Sequence, residues 1–163
     1  MNDMSPFLIR EATLVDETEL LPRMRKLAEQ EPGTIPFDEP AVRVAFRRFL
    51  SLPAFGKVWV LGEESKPVGY IVLRLGFSFE LHGHDAFIDE LYVDAARRRR
   101  GFGRQAVESV ERKAREMGVN ALHLEVDDGN APALELYRRA GYQDHHRFLM
   151  TKWLRDSMTG EVR

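Results

Sequence analysis

The chain of 163 residues contains no cysteine. That absence excludes disulfides, thiolate zinc sites, iron–sulfur clusters and a cysteine nucleophile. Also missing is any run approaching the roughly 18 apolar residues of a membrane span. The opening Met1-Asn2-Asp3-Met4-Ser5-Pro6 has no basic cluster leading into an apolar stretch, so neither a secretory leader nor a membrane partner is expected. No excess of one charge sign exists either. With 24 Lys+Arg against 26 Asp+Glu the formal charge is −2, whereas a nucleic-acid binder is normally basic overall. Internal repeats, low-complexity tracts and linkers are absent. With 44% apolar and 31% charged residues, the expectation is one cytoplasmic globular domain over residues 1–163, its core at about 6–154 and a polar tail at 155–163.

Hydrophobic periodicity orders the elements. A short strand is expected at residues 7–10, then an amphipathic helix at about 17–31 carrying Leu20, Met24, Leu27 and Ala28, with Asp16 and Glu19 as its capping box. Asp38 is set to cap a second helix with Pro40 in its first turn. Runs of β-formers at 57–61 and 68–77 predict a hairpin, and 86–93 a third strand. The spacing of Val107, Val110, Ala114 and Met117 predicts a long helix over 102–117, followed by a strand at 122–126 and a helix at 132–140. One or two final strands are expected within 142–154. Meandering strands with one strand–helix–strand crossover make a mixed α+β class.

The balance of charge hides a sharp boundary. From Glu80 to Asp94 there are five acids (Glu80, Asp85, Asp89, Glu90, Asp94) and no Lys or Arg; from Arg97 to Arg104 there are five arginines (Arg97, Arg98, Arg99, Arg100, Arg104) and no acid. Gly101 and Gly103 lie inside the basic block, where a strand gives way to a helix. Free N–H groups and the positive helix end favour phosphate there, and arginines add charge-assisted contacts. Alone, four consecutive arginines read equally well as a solvated patch. The run Gly101-x-Gly103-x-x-Ala106 also fits a dinucleotide fingerprint, with Glu125 about 20 residues on as the ribose acid. Against that stand the seven residues between Val93 and Gly101, the antiparallel character of the preceding strands, and a remaining chain too short for a two-half dinucleotide fold.

Ile88-Asp89-Glu90-Leu91-Tyr92-Val93-Asp94 followed by Arg98-x-x-Gly101-x-Gly103 resembles the acetyl-CoA motif of the GNAT N-acetyltransferase superfamily, Gln/Arg-x-x-Gly-x-Gly/Ala. Leu124-Glu125-Val126, then Asn130, Ala133, Leu136-Tyr137 and Gly141-Tyr142 resemble its second motif, so the likeness spans nearly the whole chain. It implies a splayed mixed sheet of about six or seven strands with about four helices, and acetyl-CoA as acetyl donor between the strand ending at Val93 and the next one. By the resemblance, the stretch Leu91, Tyr92 and Val93 holds the pantetheine and acetyl group through backbone. Arg98, Arg99, Arg100, Gly101, Phe102, Gly103 and Arg104 form the pyrophosphate turn, and Asn130 and Ala133 meet the pantetheine arm. Arg99 stands where many relatives have glycine.

Transfer to an amine requires removing a proton from a group with a pKa near 10, polarising a carbonyl and protonating a thiolate. Without cysteine, direct attack in a ternary complex follows from the resemblance. Tyr137, read alone as a core residue, becomes the expected acid. Asp89 and Glu90 are the candidate bases; regular strand alternation would aim only one of them at the acceptor, and Asp89 is preferred. Phe37, Phe77, Glu80 and Asp89 are candidate acceptor walls, for a small-molecule or peptide amine. His82 and His84 lack a third ligand, so no metal is expected. Members of this fold often form homodimers, for which the sequence supplies no interface. A non-catalytic acyl-CoA-binding module is the alternative; the presence of both an acid and bases favours the enzyme.

Overall fold

The computed structural model describes residues 7–31, 35–63, 66–145 and 148–154. The expected loop at Pro32, Gly33 and Thr34, together with His146 and the tail at 155–163, lies outside the described residues. In chain order the elements are β1 (Phe7–Glu11), α1 (Glu17–Gln30), α2 (Glu39–Leu50), β2 (Gly56–Glu63), β3 (Lys66–Ser78), β4 (Gly83–Val93), α3 (Phe102–Glu116), β5 (Val119–Leu124) and α4 (Ala131–Arg139).

Sheet order follows chain order. β1 to β4 pair antiparallel, and β5 joins β4 in parallel after the α3 crossover. The mixed sheet thus has five strands among the described residues, not six or seven. Residues 142–145 and 148–154 form no strand. Phe148, Leu149, Met150 and Leu154 are all exposed, so the apolar pattern that predicts strands there finds no sheet face to cover.

Alternation along β2 and β3 feeds two cores, one on each side of the sheet. On one face Trp59, Leu61, Ile71 and Leu73 pack with Ala86 and Ile88 against the α3 stripe Phe102, Ala106, Val110 and Ala114. On the other, Val58, Val60, Tyr70, Val72 and Tyr92 pack with Leu20, Leu21 and Met24 of α1 and Phe46 of α2. Helix α2 starts as expected: the Asp38 side chain accepts from the Ala41 N–H, with Pro40 in the first turn.

The start of α1 differs from expectation. Asp16 makes no side-chain cap to α1; its carboxylate accepts from Arg10 (2.6 and 2.8 Å) and from the Thr13 N–H (2.8 Å). The guanidinium outcompetes a backbone N–H for the carboxylate because both partners carry charge. It holds the Asp16 carboxyl at about 2, well below the usual range. Buried Glu17, next along, receives Arg43 and Arg47 from α2 and so ties the two helices together.

Candidate active site

β4 changes partners midway. Its pairing with β5 runs from His84↔Val119 to Ile88↔Leu124 and stops, while its pairing with β3 continues to Val93↔Gly69. Asp89 to Val93 therefore border an opening on the β5 side. The β3 register also slips here: Leu73 faces Ile88 but Val72 faces Glu90, so Asp89 is an extra residue in β4, a bulge.

The bulge overturns the expectation that Asp89 and Glu90 point to opposite faces. Tyr70, Val72 and Arg74 alternate along β3 and share one face, that of α1 and α2. The Tyr70 hydroxyl donates to Glu90 Oε2 at 2.6 Å, and Arg74 Nε donates to Asp89 Oδ1 at 2.7 Å. Both carboxylates thus turn to the same face. Their settings differ. Glu90 is half-buried, and burial raises its pKa above the ordinary value; the Tyr70 hydrogen bond pulls it back and the Asp89 charge adds to the rise. Asp89 is exposed and ion-paired. Phe37 joins the apolar cluster on this face, with the Arg25 guanidinium 4.8 Å from its ring centroid.

At the C-terminal end of β4 the basic block wraps into α3. Arg98 donates through Nε to the Val93 carbonyl (2.9 Å) and through Nη2 to Gln30 Oε1 (2.6 Å), and lies 5.5 Å from the Tyr92 ring centroid. Arg99 has φ +61, the left-handed conformation that glycine adopts without strain, and so occupies the position of the missing family glycine. Gly101, at φ +81, is the N-cap of α3 and has no side-chain cap to offer. The N–H groups opening α3 are thereby left available for an anion. A Cβ at Gly103 would meet Leu136 Cδ2 of α4 at 3.4 Å, so the missing side chain lets α3 and α4 approach closely.

α4 brings the second motif alongside. Asn130 caps it, accepting from the Ala133 N–H at 3.2 Å, and donates to Glu31 Oε1 at 2.6 Å. Tyr137 packs edge-on against Tyr142 at 5.7 Å, and burial, with the Glu31 charge second, pushes its phenol up to about 12. Gln30 and Glu31, at the end of α1, thus touch the arginine turn and the α4 cap respectively. The open half of β4, the start of α3 and the start of α4 converge.

Phe77 and Glu80 do not join them. Phe77 pairs with His84, six residues before Glu90, a distance of about 20 Å along a strand. Together with Phe79 and His84 it forms an exposed aromatic group at the β3–β4 hairpin. A groove of about 1040 Å³ follows the outer edge of β5; it includes Tyr137 but neither carboxylate nor the arginine turn. Sequence reasoning missed Tyr70 and Arg74. Tyr70 sits in the apolar run Val68-Gly69-Tyr70-Ile71-Val72 and reads as core, and only the cross-strand register pairs it with Glu90. Among the described residues no helix is long and apolar enough to cross a membrane.

The sequence profile of the acetyltransferase (GNAT) family matches residues 21–142. Thialysine N-epsilon-acetyltransferase of Bos taurus is 30% identical over 149 residues, covering 86% of each chain. Among solved structures, an integron cassette protein from the mobile metagenome of Cole Harbour Salt Marsh superposes with TM-score 0.80 at 31% identity, covering 93% of each chain. A possible acetyltransferase from Clostridium difficile shares the fold, with TM-score 0.79 at 21% identity over 91% of this chain and 99% of that one. With a splayed β4, an arginine–glycine turn opening α3 and a family match over most of its length, the chain belongs to the GNAT acetyltransferase family.

Proposed function

We propose that this protein transfers an acetyl group from acetyl-CoA to a primary alkyl amine by direct attack in a ternary complex. The observation that carries the reading is the bulge at Asp89, which turns Glu90 toward the α1–α2 face beside the open half of β4. The residues fit the donor. Uncapped N–H groups at the start of α3 and the Arg99 and Arg104 side chains suit a pyrophosphate. The unpaired edge from Asp89 to Val93 suits an extended amide-containing arm.

When bound, acetyl-CoA supplies the activated acetyl group. Glu90 takes a proton from the bound ammonium, and the neutral amine so formed attacks the acetyl carbonyl. Burial raises the Glu90 pKa, which suits a proton acceptor, while the Asp89 carboxylate is engaged in an ion pair with Arg74. Tyr137, held protonated far above neutral pH, gives its Oη proton to the departing sulfur. A backbone N–H of the open strand near Val93 polarises the carbonyl. Arg98 and Asn130 hold the frame, since the Val93 carbonyl and the Asn130 amide are already engaged. The relatives named for the Nε of thialysine support a primary alkyl amine as acceptor.

Titration with acetyl-CoA tests the donor. Saturable binding is expected for the wild type and its loss for Gly103→Glu, which sets a negative charge at the positive end of α3 against Leu136. Tyr137→Phe should lower turnover at least about tenfold with acetyl-CoA affinity retained. Wild-type protein without acetyl-CoA binding, or Tyr137→Phe with full turnover, would sink the corresponding assignment.

A further inference from the structure

Along the α1–α2 face of β3 the environment grades from sealed to open. Tyr70 is fully buried, Val72 is nearly so, and Arg74 is half exposed. Glu90 lies across from Val72 at the deep end, and Asp89 with Arg74 forms the mouth. The two ends are two strand residues apart, about 7 Å.

Arg74 is held in an unusual way for a surface arginine. Its Nε is anchored on Asp89 at 2.7 Å, and its guanidinium lies over the Phe87 ring, 4.7 Å from the centroid. One edge and one face are therefore fixed. Among the described residues Nη1 and Nη2 have no hydrogen-bond partner, and Asp89 bonds only the Nε side. An oriented pair of terminal nitrogens on a planar, permanently charged group matches the two oxygens of a carboxylate. The same ion pair cancels the Asp89 charge, so the mouth holds no unpaired carboxylate to attract a second ammonium.

The geometry points to an amine acceptor that carries a carboxylate, an ω-amino acid whose amine lies at Glu90 while its carboxylate docks on the outer nitrogens of Arg74, the two ends running along the face of Val72. This rests on the acetyl-transfer reading and narrows it. Polyamines, which a run of acids in the sequence suggests, become poorer acceptors, because their second ammonium would meet a guanidinium. Arg74 is a specificity residue here, separate from the proton transfers at Glu90 and Tyr137.

The test compares acceptors of matched chain length by thiol release: 4-aminobutanoate, 6-aminohexanoate and 8-aminooctanoate against butylamine, hexylamine and octylamine, with 1,6-diaminohexane as the dication. For the best-fitting length, kcat/KM of the amino acid should exceed that of the alkylamine by about tenfold, the scale of a charge-assisted pair at a half-exposed site. In Arg74→Gln that ratio should fall toward one, while the ratio of diamine to alkylamine rises as Asp89 is unmasked. Arg74→Lys should keep part of the preference, having charge without the fork. Because ratios within one variant are read, a general loss of folded protein does not mimic the effect. A wild-type ratio near one at every length, or a ratio unchanged in Arg74→Gln, overturns the assignment while leaving acetyl transfer intact. No thiol release with any amine, despite acetyl-CoA binding, overturns both.

Discussion

From His84 to Ile88, β4 has a strand on each side, and Ala86 and Ile88 are buried against α3. From Asp89 to Val93 it has β3 alone, and the bulge exchanges which residues face which helices. The first half is ladder-paired on both edges, antiparallel to β3 and parallel to β5, with its apolar side chains turned to the core. The second keeps its apolar packing through Tyr92 and Val93 but leaves one backbone edge open and two carboxylates on one face. The strand that is most constrained at one end is thus the strand that can meet a ligand at the other. On the proposed reading, stability belongs to the closed half and chemistry to the open half.

The sharpest way to break that division is Glu90→Gln. Turnover should fall by about 10²–10⁴, the range for a lost general base, with acetyl-CoA affinity retained. Thermal stability should hold or rise, because the amide still accepts from Tyr70 and no charge is left to desolvate. A marked fall in melting temperature would show that Glu90 belongs to the stabilising half instead. Asp89→Asn should cost far less turnover. Next in size is the closed half: Ile88→Ala should lose roughly 2–4 kcal/mol in denaturant unfolding, as a buried aliphatic truncation does, and Asp89→Ala one residue on under about 1 kcal/mol. Equal losses would erase the contrast.

Most of the frame is legible in the sequence because it follows from period and punctuation. The helices at 17–30, 39–50, 102–116 and 131–139 lie within a residue or two of their apolar stripes and caps, and the hairpin of β2 and β3 is where its β-formers place it. The arginine–glycine turn is visible as a motif, and Arg99 as its exception. What stays hidden is cross-strand register. Nothing in Ile88-Asp89-Glu90 announces an inserted residue, so alternation assigns the two acids to opposite faces and favours the wrong contrast between them. Phe77 and Glu80 are near the acids in sequence, but an antiparallel hairpin carries them to the far end of β4. The Asp16 cap fails for a related reason: its competitor, Arg10, comes from a different element.

Two smaller effects refine the comparison. Tyr70→Phe removes the hydroxyl that favours the Glu90 carboxylate, so the Glu90 pKa should rise further. A base must be unprotonated, so kcat/KM should climb with pH through a midpoint above the ordinary glutamate value, and in Tyr70→Phe that acidic limb should move to higher pH. A limb that stays in place would remove Tyr70 from any influence on proton transfer. Smallest is Arg99→Gly. Relief of the left-handed residue should gain at most about 1 kcal/mol in denaturant unfolding, offset in part by the freer unfolded chain, while acetyl-CoA binding weakens through the lost guanidinium.

The last turn of α1 and the residue after it place two neighbouring side chains on two separate parts of the site, Gln30 on Arg98 and Glu31 on Asn130. The same helix walls the face where Glu90 sits, through Leu20, Leu21 and Met24. On the proposed reading, a donor that shifts Arg98 or Asn130 would pull on the helix that walls the acceptor side. Binding of the two substrates would then be thermodynamically linked, each changing the other's affinity by the same factor. Communication between donor and acceptor would run through one helical turn that touches neither Asp89 nor Glu90.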